Sequence, residues 1–234
     1  MIVSYSRKFI FIKTRKTAST TVEAVLASGC GRDDVISKSG DEIYPGSNIP
    51  IAGRLDPAGA PPSARSRDAL RAHRKQTRGA RKRGEFYSHM PAAEIKARVD
   101  PAFWNEALKV TVERHPYEKA VSQAFYRLHK RNRHGEDFDE FLDRTIRKGG
   151  YAGFPMWSID GTVVVDRFIR HEDLEAELRQ VCESLGIAFP DELPRMKMRT
   201  RKDTRPAHEI LSDEQKRIVY EYCKQDFEIL GYER

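Results

Sequence analysis

The chain has 234 residues, 39% of them hydrophobic and 33% charged, which suits one globular domain with an insertion and is short for two full domains. Its three cysteines, Cys30, Cys182 and Cys223, are odd in number and lack CxxC spacing, excluding a disulfide framework and a structural zinc site. The net charge of +7 is local: Arg54 to Arg83 holds eight arginines and two lysines against two aspartates, a net +8, and the rest of the chain sums to −1.

That block lies in a basic insert, residues 37–85, within a single domain spanning 1–234. It implies either contact with an anionic partner or a solvated, mobile loop. The opening apolar run is interrupted by Lys8 and Lys13, and no long apolar stretch with a cleavage site follows. The expectation is a reduced, cytoplasmic protein with no membrane span.

In chain order, residues 8–12 (KFIFI) predict a strand, followed by a TRKTAS turn and a helix over Thr20–Ala27. From Gly29 to Gly84 the periodicity fades into Gly, Pro, Ser and Arg, with a helical pattern only around Asp68–Arg78. Pro91 suits a first helical turn, with AAEIKARV continuing it. Leu108–Glu113 (LKVTVE) predicts the next strand, and Pro116 opens a helix to about His129 with Tyr117, Val121, Ala124, Phe125 and Leu128 near one face. Phe138–Ile146 predicts a helix, Thr162–Ile169 (TVVVDRFI) a strand, and His171–Leu185 an amphipathic helix. Ser212 and Gln215 form a capping-box pattern ahead of a last helix through Leu230. Strands alternating with helices imply an α/β fold with a mainly parallel sheet covered on both faces.

Two segments carry chemistry. After the first strand, a helix N-terminus with Lys16 and the hydroxyls of Thr17, Ser19, Thr20 and Thr21 suits a phosphate-type anion, although the turn lacks the GxxxxGK[ST] pattern. A Ser/Thr-capped helix with a surface lysine explains the same residues. After the Leu108–Glu113 strand, Arg114 offers a fork and Ser122, two turns into the next helix, a hydroxyl. Both segments would lie at the carboxyl edge of a parallel sheet.

Together, Lys16-Thr17-Ala18-Ser19-Thr20 and Arg114-x-Pro116-x-x-Lys119-x-x-Ser122 resemble the sulfotransferase superfamily, and within it the carbohydrate-type, family 2-like branch. The likeness covers residues 8–28, 86–132 and 162–234. Arg15 stands where that branch commonly has proline, and Lys119 where it commonly has arginine. The resemblance implies a three-layer, P-loop-like fold with a central sheet flanked by helices. It also implies transfer of a sulfuryl group from 3′-phosphoadenosine 5′-phosphosulfate (PAPS) to a hydroxyl, of a carbohydrate in this branch, with no metal. Lys16, Thr17, Ala18, Ser19 and Thr20 would hold the 5′-phosphosulfate, and Arg114 and Ser122 the 3′-phosphate. The late basic loop with Arg199, Arg201 and Lys202 would add cofactor contacts.

His89 is the candidate catalytic base, able to take a proton near neutrality, with Lys16 stabilising charge on the leaving group. Glu94 and Glu113 are the runner-up bases. Trp104, Trp157 and the aromatics of Tyr151–Trp157 could stack on a sugar, although core packing explains any one of them better. The Arg54–Arg83 block would favour an anionic acceptor. The competing readings are a P-loop-type nucleotide kinase, for which the Walker glycines are missing, and a nucleic-acid-binding protein, which leaves the two phosphate-type segments unexplained.

Overall fold

The computed structural model describes residues 1–37, 84–130, 136–194, 201 and 203–234. Most of the basic insert, including Arg54–Arg83 and the helical pattern expected around Asp68–Arg78, lies outside the described residues, as do Arg199 and Lys202.

The chain folds as a mixed α/β structure around a five-stranded sheet. Strands β1 (Ile2–Ser4) and β2 (Phe9–Ile12) form an antiparallel hairpin, with Ile2 opposite Phe11 and Ser4 opposite Phe9. The opening run is therefore two strands rather than one. Its turn is held by Asp34, whose carboxylate accepts from the Ser4 hydroxyl at 2.7 Å, the Ser6 hydroxyl at 2.6 Å and the Ser6 N–H at 3.0 Å.

Helix α1 (Ser19–Ala27) follows β2, and β3 (Val35–Ile36) pairs antiparallel with β1. Two short helices come next, α2 (Ala92–Lys96) and α3 (Pro101–Glu106). The second went unread in the sequence, although it starts on a strong signal: Asp100 caps the N–H groups of Ala102 and Phe103, with Pro101 in the first turn.

Strand β4 (Leu108–Glu113) lies parallel to β2, and β7 (Arg167–Arg170) parallel to β4. The order is β3-β1-β2-β4-β7 with two antiparallel pairings out of four, so the sheet is mixed rather than mainly parallel. Between β4 and β7 come α4 (Pro116–Lys130), α5 (Phe138–Arg147), α6 (Phe154–Trp157) and a hairpin of β5 (Ser158–Ile159) and β6 (Thr162–Val163). The hairpin turns on Asp160 and Gly161, both with positive φ, the conformation a tight two-residue hairpin needs.

The TVVVDRFI run is thus divided between two sheets. Its break is fixed by Asp166, whose carboxylate accepts the Lys109 N–H at 2.7 Å while its own N–H donates to the Lys109 carbonyl at 2.9 Å. Helices α7 (Leu174–Ser184), α8 (Ala207–Ile210) and α9 (Asp213–Leu230) complete the chain. Helix α9 opens on the reciprocal Ser212–Gln215 capping box and stops at Gly231, φ 63°.

Side-chain alternation along the strands explains why both faces of the sheet are covered. Phe9, Phe11, Val110 and Val112 pack with Val22 and Leu26 of α1 and Leu178 and Val181 of α7. Ile10 and Ile12 point the other way, against Met90, Ile95 and Trp104 around α2 and α3, and Trp157. A third apolar cluster joins α4, α5 and α9 through Val121, Phe125, Phe141, Ile146, Val219 and Phe227. Continuous apolar runs such as FIFI are the pattern of strands buried on both faces.

Candidate functional site

The three parallel strands end at one edge. Ile12 pairs with Thr111, and Glu113 with Arg170, so the residues that follow β2, β4 and β7 emerge side by side. In open α/β sheets this carboxyl edge is the usual ligand crevice.

The turn after β2 is shaped from within. The buried Thr14 hydroxyl donates to the Val112 carbonyl and lies 3.0 Å from the Thr17 hydroxyl, tying the turn to β4. The Ser19 hydroxyl donates back to the Thr14 carbonyl at 2.6 Å. Thr17 and Ser19 therefore turn their side chains inward and hold the loop's shape, while Thr20 is nearly buried in the first turn of α1.

The backbone of the turn remains open. Lys16 (φ 65°) and Ala18 (φ 58°) are left-handed, interleaved with Thr17 and Ser19, which are not. Alternating hands along successive residues make an anion-binding concavity of N–H groups. Among the described residues no acceptor is offered to the backbone N–H groups of Thr17, Ala18, Ser19 and Thr20. Lys16 is half-buried, and its ammonium lies 4.1 Å from the ring centroid of Tyr126 on α4, one turn beyond Ser122.

Lys13, at the start of the turn, is buried. It donates to Glu23 of α1 at 2.6 Å, and the same carboxylate accepts from the Met1 amino group. Burial disfavours a charged Glu23, but these two cations outweigh it and hold its pKa far below the usual carboxylate range.

Arg114 leaves β4 half-buried. One of its N–H donors reaches Glu118 at 2.8 Å, and the other four have no acceptor among the described residues. Burial lowers its pKa, with Glu118 opposing. Arg201 reaches the same Glu118 oxygen at 2.6 Å, which brings Arg201 beside Arg114. Ser122 is half-buried on α4, and its hydroxyl has no partner among the described residues.

Lys119, within the same motif, turns into the core instead. It is fully buried, donating to Glu113 at 2.5 Å and standing 3.6 Å from Asp226 of α9. Glu113 also accepts the indole N–H of Trp157 at 3.0 Å, and Asp226 accepts the backbone N–H groups of Gly153 at 2.7 Å and Phe154 at 3.2 Å. Burial, helped by Asp226 and opposed by Lys119, pushes Glu113 up to about 7. Enclosed in this way, Glu113 is a structural carboxyl and does not reach a substrate. Glu94, half-buried on α2, stands 3.5 Å from Arg98. Trp157 and Tyr151 are fully buried and Trp104 nearly so, which places all three in the core.

His89 comes to the same edge from the segment before α2. Its backbone is left-handed (φ 58°), and its ring Nδ1 lies 3.0 Å from the Lys13 carbonyl oxygen. A carbonyl can only accept, so Nδ1 carries the proton and Nε2 keeps its lone pair. Burial, reinforced by Lys13, Arg15 and the Met1 amino group, sets the imidazole pKa well below its ordinary value, so the ring is neutral at physiological pH.

The edge thus gathers Lys16, Ala18, His89, Arg114, Ser122 and Arg201. Sequence reasoning missed Lys13, Glu118, Tyr126 and Glu23, and it missed His171, which follows β7. His171 is pushed down to about 4 by burial and then by Arg114. Of these only Glu118 had a readable signal, its i,i+4 spacing from Arg114. No helix among the described residues is long and apolar enough to cross a membrane. Comparison with known proteins finds no matching family model, no matching curated protein and no matching solved structure.

Proposed function

We propose that the chain is a sulfotransferase that moves a sulfuryl group from PAPS to a hydroxyl of a carbohydrate, on a three-layer, P-loop-like fold. The observation that carries this reading is the meeting of two anion sites at one sheet edge. One is a turn whose four backbone N–H groups beside Lys16 meet no acceptor among the described residues, and the other a guanidinium with four donors that likewise meet none among them. The motif resemblance supplies the spacing that a 3′,5′-bisphosphorylated nucleotide would span.

PAPS supplies the sulfuryl group, activated by its 5′-phosphate leaving group. Residues 17–20 hold the phosphosulfate through their N–H groups, and Lys16 stabilises the charge that grows on the departing phosphate and the sulfuryl oxygens. Arg114 and Ser122 hold the 3′-phosphate and Arg201 adds charge beside them; Arg199 and Lys202, its neighbours in sequence, are proposed to add cofactor contacts. His89 Nε2 accepts the acceptor hydroxyl's proton as that oxygen bonds to sulfur and the bond from sulfur to the phosphate oxygen breaks. A base of low pKa is neutral and ready at pH 7, though it provides less driving force than one matched to that pH. The Arg54–Arg83 block would favour an anionic glycan over a neutral one.

Calorimetry tests the assignment directly. PAPS and its product PAP should bind far more tightly than adenosine 5′-phosphosulfate, and Arg114→Ala should remove about 1.5–3 kcal/mol of that preference. Equal affinities in the native protein would overturn the proposal. Thermal shifts with ATP and with an oligonucleotide, set beside PAP, separate it from the kinase and nucleic-acid readings.

A further inference from the structure

Glu118 has no role in the scheme above, yet its carboxylate joins three stretches of chain. One oxygen accepts from Arg114 at 2.8 Å and from Arg201 at 2.6 Å, the latter 83 residues further along the sequence. The other accepts the backbone N–H of Ala207, at the start of α8, at 2.7 Å. Two guanidiniums drawn to one oxygen repel each other, and Arg201 is among the charges that lower the Arg114 pKa. Burial opposes ionisation of Glu118, but the Ala207 N–H and both arginines outweigh it and keep the group charged.

The remaining bonds show what this arrangement achieves. Arg201 also donates through Nε to the Asp203 carbonyl at 2.7 Å and through a second terminal nitrogen to the Arg205 carbonyl, so its plane is fixed. Among the described residues Arg114 is held by Glu118 alone and keeps four donors open. The nearby acid Glu172 already accepts the His115 N–H at 2.9 Å and the Tyr232 hydroxyl at 3.2 Å, which leaves Glu118 as the bridge between the two cations.

A carboxylate beside an anion site ordinarily weakens anion binding by repulsion. We infer that Glu118 has the opposite effect: it is a positioning residue that holds Arg114 and Arg201 side by side as a two-guanidinium site for a phosphate monoester. Selectivity for the 3′-phosphate therefore depends on a negative charge. This inference rests on the nucleotide reading above.

The test compares PAP with adenosine 5′-phosphate, which differs only in lacking the 3′-phosphate, by calorimetry at fixed low salt. In Glu118→Ala the preference for PAP should fall by about 10–100-fold, the scale of one charge-assisted contact, although the variant is more positive than the native protein. Affinity for adenosine 5′-phosphate should stay within about twofold, because its 5′ contacts lie elsewhere. Should Glu118→Ala lose its cooperative melting transition, Glu118→Gln gives the same readout, since the amide oxygen can still accept the Ala207 N–H. A preference that is unchanged or enlarged in the folded variants would show Glu118 to be only a competing charge. A native protein that binds both nucleotides equally would remove the nucleotide reading and this inference together. A strong native preference that survives both substitutions removes the role of Glu118 alone.

Discussion

Replacing Glu113 with glutamine should change how stability depends on pH, and the sign follows from its surroundings. Burial raises the Glu113 pKa from 4.5 to about 7 in the native state. Between those values the native carboxyl keeps a proton that the unfolded chain has released, so its contribution is intact below pH 4.5 and is lost as pH rises through 7. Each pH unit in that window corresponds to about 1.4 kcal/mol, so the full loss is about 3 kcal/mol.

His171 works the other way over an overlapping range. Its native pKa of about 4 lies below the ordinary 6.5, so the unfolded chain binds the proton and stability rises with pH. The informative quantity is therefore the native stability minus that of Glu113→Gln, measured by urea unfolding at half-unit steps. That difference should fall by about 3 kcal/mol from pH 4.5 to 7 and then level off. A flat difference curve would refute the account, because it would mean that Lys119 keeps Glu113 ionised throughout.

The other predictions concern the turn and the base. His89→Ala should lower turnover about 10²–10⁴-fold and leave PAP affinity nearly intact, whereas Lys16→Ala should weaken both; full activity in His89→Ala at neutral pH would assign the proton to another group. Ala18→Gly should hold or raise the melting temperature, because relief of about 1–2 kcal/mol of left-handed strain offsets the flexibility that glycine adds to the unfolded chain. Ala18→Val should lower it, and a lower melting temperature for the glycine variant would contradict the φ of 58° at that position.

What the sequence revealed was what local pattern determines. FIFI and LKVTVE announce strands because each is buried on two faces, and Ser212 with Gln215 announces a helix start because both partners lie within one turn. The β1–β2 hairpin was hidden because its turn depends on Asp34, 28 residues beyond Ser6. TVVVDRFI read as one strand because its valines mask the Asp-Gly turn before them and the Asp166 contact with Lys109 that bends the chain.

At the site, sequence placed Lys16 and Arg114 correctly at strand ends, since order along the chain decides that. It could not show that the Thr17 and Ser19 hydroxyls serve Thr14, nor that Lys119 leaves its motif to pair with Glu113 and Asp226. Both facts depend on which neighbours the fold brings within 3 Å or so, and hydroxyl or ammonium chemistry is the same for a ligand and for the protein's own acceptors.

Gly153, whose N–H meets Asp226, constrains the order in which this protein can change. A methyl group there would stand 2.3 Å from one Glu113 oxygen and 2.7 Å from an Asp226 oxygen, closer than real carbon atoms approach either. Position 153 is therefore closed to other residues while both acids keep their full length. A lineage that first shortened Glu113 and Asp226 would strand the Lys119 charge, and one that first replaced Lys119 would leave two carboxyls facing each other. Each of these first steps lowers stability, so the polar centre at the carboxyl end of β4 resists replacement one residue at a time.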